Sequence, residues 1–186
     1  MRKLKLQMQQ TVDGYVAGPN GELDWMTFGN DEPLFKIINE LTDSSDTILM
    51  GRKMTEGFVN YWENVVENQP DSPEFSFAEK MVNIPKIVFS KTLKSIEGKN
   101  TRIENGDLVT VVNQLKNKPG KDILVYGGAN FVSSLLKNNL IDELNLFVNP
   151  VAIGKGMEIF YERTNLKLVN AKALECGEVL LQYKLK

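Results

Sequence analysis

Histidine is absent from this chain, and cysteine occurs once, at Cys176. Without a second thiol no internal disulfide forms, and without imidazole there is no histidine base, no histidine-driven nucleophile relay and none of the usual zinc ligand sets. An excess of basic charge is also missing. The formal net charge is −2 and the sequence pI about 5.4, which argues against a surface that coats polyanions, since nonspecific nucleic-acid binders gather Lys and Arg on one face. No segment reaches the roughly 18 uninterrupted apolar residues of a membrane span, and Arg2 and Lys3 lead straight into strand-like sequence. Repeats, low-complexity tracts and convincing linkers are lacking too. These absences predict a cytoplasmic protein with no membrane or nucleic-acid partner, and the 186 residues read as a single domain over 1–186. A chain of that length buries roughly 70% of its extended surface and needs no covalent staple.

What is present reads as alternating strands and helices. Leu4, Leu6 and Met8 alternate with Lys5, Gln7 and Gln9, a half-buried strand from Leu4 to Thr11. Asp13-Gly14 and Ala17-Gly18-Pro19-Asn20-Gly21 then supply the turn chemistry of a long shaped loop. Asp31-Glu32-Pro33 marks a helix start, and Leu34, Ile37, Ile38 and Leu41 continue at helical spacing to about Thr42. After a strand at Thr47–Met50, a short helix is predicted from Thr55 to about Tyr61, followed by a surface excursion through Asn64, Pro70 and Pro73. Pro85–Ser90 and Thr101–Ile103 read as strands, and Asp107–Lys116 as a helix. From Leu144 onward three strands follow with little helix between them, the last two joined by a hairpin turn at Cys176-Gly177. The β-α alternation predicts an α/β fold with parallel pairing.

Two strand ends carry the chemistry. Thr47-Ile48-Leu49-Met50-Gly51 and Asp122-Ile123-Leu124-Val125-Tyr126-Gly127-Gly128 each break at glycine and pass into a helical pattern, so backbone amides can face a phosphate at a helix N-terminus. Arg52 and Lys53 directly follow the first glycine, where Arg offers a bidentate fork to a phosphate monoester. Ser90-Lys91-Thr92 ends another strand with a hydroxyl and a cation. Ordinary readings stand beside these: a strand-to-helix turn with solvated charges at Gly51, and a tight turn with close helix packing at Gly127-Gly128. Neither segment matches the three-glycine dinucleotide fingerprint or a P-loop.

The order of motifs resembles the dihydrofolate reductase superfamily, in particular the branch containing the reductase domain of bacterial riboflavin biosynthesis and its stand-alone relatives. The anchors are Thr11–Gly18, Leu23-Asp24-Trp25, Met50–Lys53, Val88–Thr92, Tyr126–Ala129, and Asp142-Glu143-Leu144 running into Pro150-Val151 and Gly154-Lys155-Gly156. Together they cover nearly the whole chain. The resemblance implies a three-layer α/β/α fold whose mixed, mostly parallel central sheet is closed by an antiparallel C-terminal strand. It also implies an NADPH-dependent oxidoreductase passing a hydride to a small planar heterocycle, pterin- or folate-like or aminopyrimidine-like. Val16 and Ala17 would meet the nicotinamide carboxamide. Gly51, Arg52, Lys53 and Thr55 would face the phosphates, Arg52 taking the 2′-phosphate. Ser90 and Lys91 would flank the adenosine ribose, and Gly127, Gly128 and Ala129 would approach the pyrophosphate with Asn130 and Phe131 opening the helix behind.

For proton transfer the resemblance implies Asp31, which lies four residues before Phe35, with Asp13 as second candidate. A helix cap beside Pro33 and a turn with Gly14 are the structural alternatives. Trp25 and Phe35 would border the substrate, Trp25 reading equally as an apolar plug. The pattern departs from the riboflavin reductases at Tyr126, where those usually carry an acid before the paired glycines; Tyr126 would instead pack beneath the cofactor with its hydroxyl reaching water. No deaminase domain and no arginine for a folate tail are identifiable. Riboflavin synthesis is therefore less favoured, and folate stays open. Scattered carboxylates predict no metal site, Cys176 reads as structural, and Phe75, Phe77, Met81 and Val82 cover core or a dimer surface. A homodimer is expected from the stand-alone relatives. The competing reading is a nucleotide-binding regulatory or scaffold protein of the same fold without turnover.

Overall fold

The alternating segment Leu4–Thr11 is β1, near the middle of the sheet in the computed structural model, which describes residues 1–26 and 31–186. After it come α1 (Glu32–Asp43), β2 (Ser45–Gly51), α2 (Arg52–Asn68), α3 (Phe75–Asn83), β3 (Lys86–Phe89), β4 (Thr101–Glu104), α4 (Leu108–Asn117), β5 (Asp122–Gly127), α5 (Ala129–Lys137) and β6 (Glu143–Asn149). The chain closes with the hairpin β7 (Leu166–Ala173) and β8 (Val179–Leu185). One sheet holds all eight strands in the order β4-β3-β2-β5-β1-β6-β8-β7. Pairings from β4 across to β6 are parallel, and β8 runs antiparallel to both neighbours. This is the mostly parallel sheet with an antiparallel C-terminal strand that the resemblance implied.

Two helical layers cover it because strand side chains alternate between faces. On one face Leu4, Leu6, Leu49, Ile123, Val125, Leu144 and Leu146 pack beneath Val112 and Leu115 of α4 and Val132, Leu135 and Leu136 of α5. On the other, Leu34 and Ile38 of α1 pack on Phe147 and Leu180, while Met54, Phe58, Trp62, Phe77 and Met81 of α2 and α3 pack on Ile48, Met50 and Leu124.

Helix starts differ in kind. Asp31 caps α1 by accepting from Leu34 N at 2.8 Å, and Asp107 caps α4 by accepting from Thr110 N at 2.9 Å. By contrast α2 and α5 begin after Gly51 and Gly128 with no side-chain cap. The expected short helix at 55–61 is too short: α2 runs from Arg52 to Asn68, and the excursion after it contains α3. The polar residues Asn60, Asn64 and Glu67 are exposed on a helix whose Val59 and Val65 are buried, so polarity there marks a solvent face, not a loop.

Candidate functional site

Five adjacent parallel strands, β3, β2, β5, β1 and β6, end at one edge of the sheet, and loops leaving such an edge border a ligand crevice. Met50 pairs with Gly127, so the two glycine-bearing tips stand side by side. A Cβ on Gly51 would lie 2.8 Å from Phe131 Cβ and 3.4 Å from the Gly128 nitrogen, a close approach that only glycine permits. Gly127 has φ +131°, again a glycine conformation, and joins Gly128 through a cis peptide. Above Gly128 the space is open: an added Cβ would meet nothing within 4 Å. Two uncapped helix starts thus point unpaired N–H groups and the positive ends of their dipoles at shared open ground. Arg52 and Lys53 in the first turn of α2 are exposed, and among the described residues neither pairs with a carboxylate.

The loop after β1 is held against the loop after β6. Val16 N donates to Met157 O and Met157 N to Ala17 O, each at 2.8 Å. Among the described residues the Val16 carbonyl and the Ala17 N–H make no backbone bond; as the two ends of one trans peptide they point to opposite sides of it. Asp13 is the staple of these loops. Its carboxylate accepts from Thr11 Oγ1 at 2.5 Å, Gly154 N at 2.8 Å and Ile153 N at 3.1 Å. The Thr11 hydroxyl first, then the two backbone amides, hold it below the ordinary carboxylate range.

Asp31 is committed in the same way. One oxygen caps α1 and the other accepts from Cys176 N at 2.7 Å, so the carboxyl is only 2% exposed and ties the β7–β8 turn to the helix. The Cys176 amide is the main influence pulling it below its usual range. The oxygens of both aspartates are engaged within the fold, in the turn and helix-cap roles that stood as their structural alternatives. Thr55 is corrected: it is fully buried and its hydroxyl donates to Gly51 O at 3.0 Å, inside α2 rather than towards a phosphate. Lys91 donates to the carbonyls of Asn105 and Gly106 at 2.6 and 2.8 Å, which turns its ammonium onto the end of β4. Ser90 oxygen accepts from Thr92 N and Leu93 N at 3.2 and 3.0 Å and shapes the turn after β3.

Ala129 is buried and Asn130 exposed in the first turn of α5. Trp25 is 8% exposed, with an indole N–H that finds no partner among the described residues, while Phe35 is open on the first turn of α1 at 38% exposure. The Tyr126 hydroxyl lies 3.5 Å from Thr42 Oγ1 instead of reaching water; its ring tilts against Phe58, and burial pushes its pKa up to about 12.

The sequence reading missed Gln7, Gln9, Asn149 and Glu178. Gln7, Asn149 and Glu178 are buried and Gln9 half-buried, and among the described residues each has a buried polar atom with no partner within 3.5 Å, although Gln9 lies close enough to Glu178, and Gln7 to Tyr126, to influence them. Their signal is a polar stripe recurring at matched positions of three strands. Strand alternation alone reads such a stripe as a solvated face. Two open grooves lie elsewhere: one of about 400 Å³ by Arg2, Asn117 and Asp122 at the opposite strand edge, another of about 430 Å³ along the outside of α1 by Lys172. Among the described residues no cluster of Cys, Asp or Glu side chains fits a metal ion, and no helix is long and apolar enough to cross a membrane.

Residues 2–181 match the RibD C-terminal domain. The chain is 34% identical over 185 residues to the uncharacterized protein YyaP of Bacillus subtilis, covering 98% of this chain and 94% of that protein. It is 21% identical over 184 residues to the riboflavin biosynthesis protein RibD of Corynebacterium ammoniagenes, covering 91% of this chain but 49% of the longer protein. Among solved structures, Acinetobacter baumannii RibD superposes with a TM-score of 0.70 at 18% identity, covering 100% of this chain and 58% of that one. A pyrimidine reductase-like protein from Corynebacterium diphtheriae superposes with a TM-score of 0.64 at 13% identity, covering 100% and 92%. These two superpositions speak to the fold.

Proposed function

The chain belongs to the RibD C-terminal domain family, and on that premise we propose that it is an NADPH-dependent reductase acting on a small planar heterocycle. The observation that carries this reading is the pair of uncapped, glycine-started helices whose tips abut at Gly51 and Gly128. The site fits a dinucleotide because the ground over Gly128 is open and the backbone donors of two helix starts converge on it. Their N–H groups would hold the pyrophosphate, and the exposed Arg52 fork would take a ribose 2′-phosphate in a bidentate grip. One free end of the Val16–Ala17 peptide, carbonyl or N–H, would bond the nicotinamide carboxamide and set the position of the ring. Bound there, NADPH supplies a hydride. Asp13 and Gly154 keep the two loops in register around that ring, and Asp31 keeps the mouth of α1 closed on the β7–β8 turn.

One observation favours binding without turnover: the oxygens of both candidate acids are taken up by hydrogen bonds that hold the loops and α1, which favours a holding role over delivery of the proton that accompanies a hydride. Thermal melting with NADPH and NADH, followed by NADPH oxidation with pteridine and aminopyrimidine acceptors, separates the readings. We expect NADPH to raise the melting temperature more than NADH does. An unchanged melting temperature at millimolar NADPH overturns both readings, and binding with no oxidation of NADPH by any acceptor selects the second.

A further inference from the structure

Asparagine stands directly before glycine twice in this chain, at Asn20-Gly21 and Asn105-Gly106. Such a pair is chemically labile, because the glycine carries no side chain to shield its nitrogen from the asparagine amide carbon. The fold treats the two pairs in opposite ways. In the loop after β1, Asn20 is held: its Nδ2 donates to Glu22 Oε1 at 2.7 Å and its backbone N to Glu22 Oε2 at 2.9 Å, while Gly21 N donates to the Gly18 carbonyl at 3.0 Å. The second pair follows β4. Asn105 is exposed and among the described residues its side chain makes no hydrogen bond, so Cγ is free to rotate towards the next nitrogen. Here the peptide itself is gripped at both ends by charge. Lys91 Nζ donates to the Asn105 carbonyl at 2.6 Å, and the N–H of that same peptide, on Gly106, donates to Glu104 Oε1 at 2.9 Å.

Both contacts raise the reactivity of that nitrogen. An ammonium on the carbonyl oxygen stabilises the negative charge that spreads there as the N–H gives up its proton, and a carboxylate on the N–H draws the proton off. Glu104 stays ionised, as a proton acceptor must, because the Gly106 amide first and then Arg102 hold its carboxyl below the ordinary range. Packing also fixes the glycine. A Cβ at position 106 would lie 2.7 Å from Val111 Cγ2 and 2.9 Å from Glu104 Oε1, so the fold leaves no room for a side chain that would shield the nitrogen. We propose that Asn105 is a self-modification site, at which the Gly106 nitrogen attacks Asn105 Cγ and the side-chain amide is converted to a carboxylate. The bond from nitrogen to Cγ forms, the Cγ–Nδ2 bond breaks, and ammonia leaves with the proton that Glu104 took from Gly106. Water then opens the cyclic imide at either carbonyl to give aspartate or isoaspartate, with nothing oxidised or reduced. Either product places a negative charge beside the Lys91 ammonium, and isoaspartate also lengthens the main chain just ahead of Asp107, the cap of α4. The inference does not rest on the reductase reading.

Incubation of the full chain at neutral pH, with peptide mapping by mass spectrometry over time and isoaspartate read by enzymatic methylation, tests the assignment. Asn20 in the same molecules is the internal reference. We expect Asn105 to convert about tenfold faster than Asn20 in the folded protein, the worth of one charge-assisted contact in the transition state. That ratio should fall towards unity in guanidinium chloride, where the contacts of Lys91 and Glu104 are gone. Glu104→Gln and Lys91→Met should each slow Asn105 by about threefold or more and leave Asn20 as it was. An Asn105 that stays intact in the folded chain overturns the proposal, as does conversion of Asn20 at the same rate. A ratio that denaturant leaves unchanged overturns it as well, and that measurement needs no variant to fold.

Discussion

The two edges of the same parallel strands treat their polar groups in opposite ways. At the N-terminal edge nearly every charge is closed on a partner. Lys116 pairs with Asp142 at 2.6 Å and donates to Leu140 O, Asp142 also accepts from Leu4 N at 2.7 Å, and Lys5 pairs with Asp122 at 2.8 Å. Arg2 reaches Asp46, Thr47 and the Lys121 carbonyl, and Lys86 donates to the carbonyls of Met81, Val82 and Ile84. Lys86 and Lys116 sit by the C-terminal turns of α3 and α4, where carbonyls and the negative end of the dipole accept a cation. At the C-terminal edge the helices present N–H groups instead, two of them start without caps, and among the described residues Arg52, Lys53 and the buried Glu178 carboxyl have no ion pair. Parallel strands force this polarity, because each crossover helix begins where a strand ends. One edge is spent on holding the fold, and the other is left with unsatisfied groups for a ligand.

The sharpest test of that contrast is Asp142→Ala. It strands the buried Lys116 ammonium and the Leu4 amide, and should cost about 3 kcal/mol in urea unfolding while the folded variant binds NADPH as before. A loss of NADPH affinity in the folded variant would show that the edges are not independent. Gly128→Ala is the converse substitution. Its Cβ enters open space and leaves stability nearly unchanged, but stands where the pyrophosphate would lie, so NADPH binding should weaken by about tenfold or more, measured by fluorescence titration. Arg52→Ala should lower the preference for NADPH over NADH by about tenfold, again with an unaltered melting curve; an intact preference would remove Arg52 from the 2′-phosphate.

Glu178 connects the comparison to pH. Burial raises its pKa above 4.5, with the nearby Asp31 charge adding to the rise and Gln9 opposing it. The folded state therefore keeps this proton longer than the unfolded chain does. Its contribution to stability is complete below the unfolded value and is lost as pH rises through the folded one. Asp31 is shifted the other way, below 3.8, so its contribution is lost only on acidification beneath that range. Cys176, the other titratable group against this cluster, is raised above 9.0 by burial and stays protonated throughout. Urea midpoints from pH 5 upward should fall more steeply for the wild type than for Glu178→Gln, and parallel curves would refute the shift. The smallest effect belongs to Lys91→Met. With its ammonium already on two carbonyls, NADPH affinity should change by less than about twofold.

Much of the architecture was legible in local pattern. The alternation of Leu4, Leu6 and Met8 located β1, Asp31 and Pro33 located the start of α1, and Asp107 located that of α4. The two glycine tips were legible because each breaks a strand before a helical pattern; at Gly51 a close approach leaves no room for a side chain, and at Gly127 the positive φ favours glycine. The site was less so. Thr55 looked like a phosphate ligand by its place in sequence, yet helix geometry points its hydroxyl back at the Gly51 carbonyl. The second bond of Asp31 comes from Cys176, 145 residues away, and no local pattern carries such a partner. Gln7 and Gln9 look like the solvated side of a half-buried strand, yet Gln7 is buried and Gln9 half-buried because β1 lies inside the sheet between β5 and β6.

By itself, the sequence determined the kinds of element, their order, the two glycine tips and the chemistry that lack of histidine forbids, since each of these depends on residues a few places apart. Tertiary structure alone decided which carboxylates are consumed as anchors and which one, Glu178, is buried without an ion pair among the described residues. That outcome depends on which side chains distant parts of the chain bring into contact, and on which groups burial then cuts off from water.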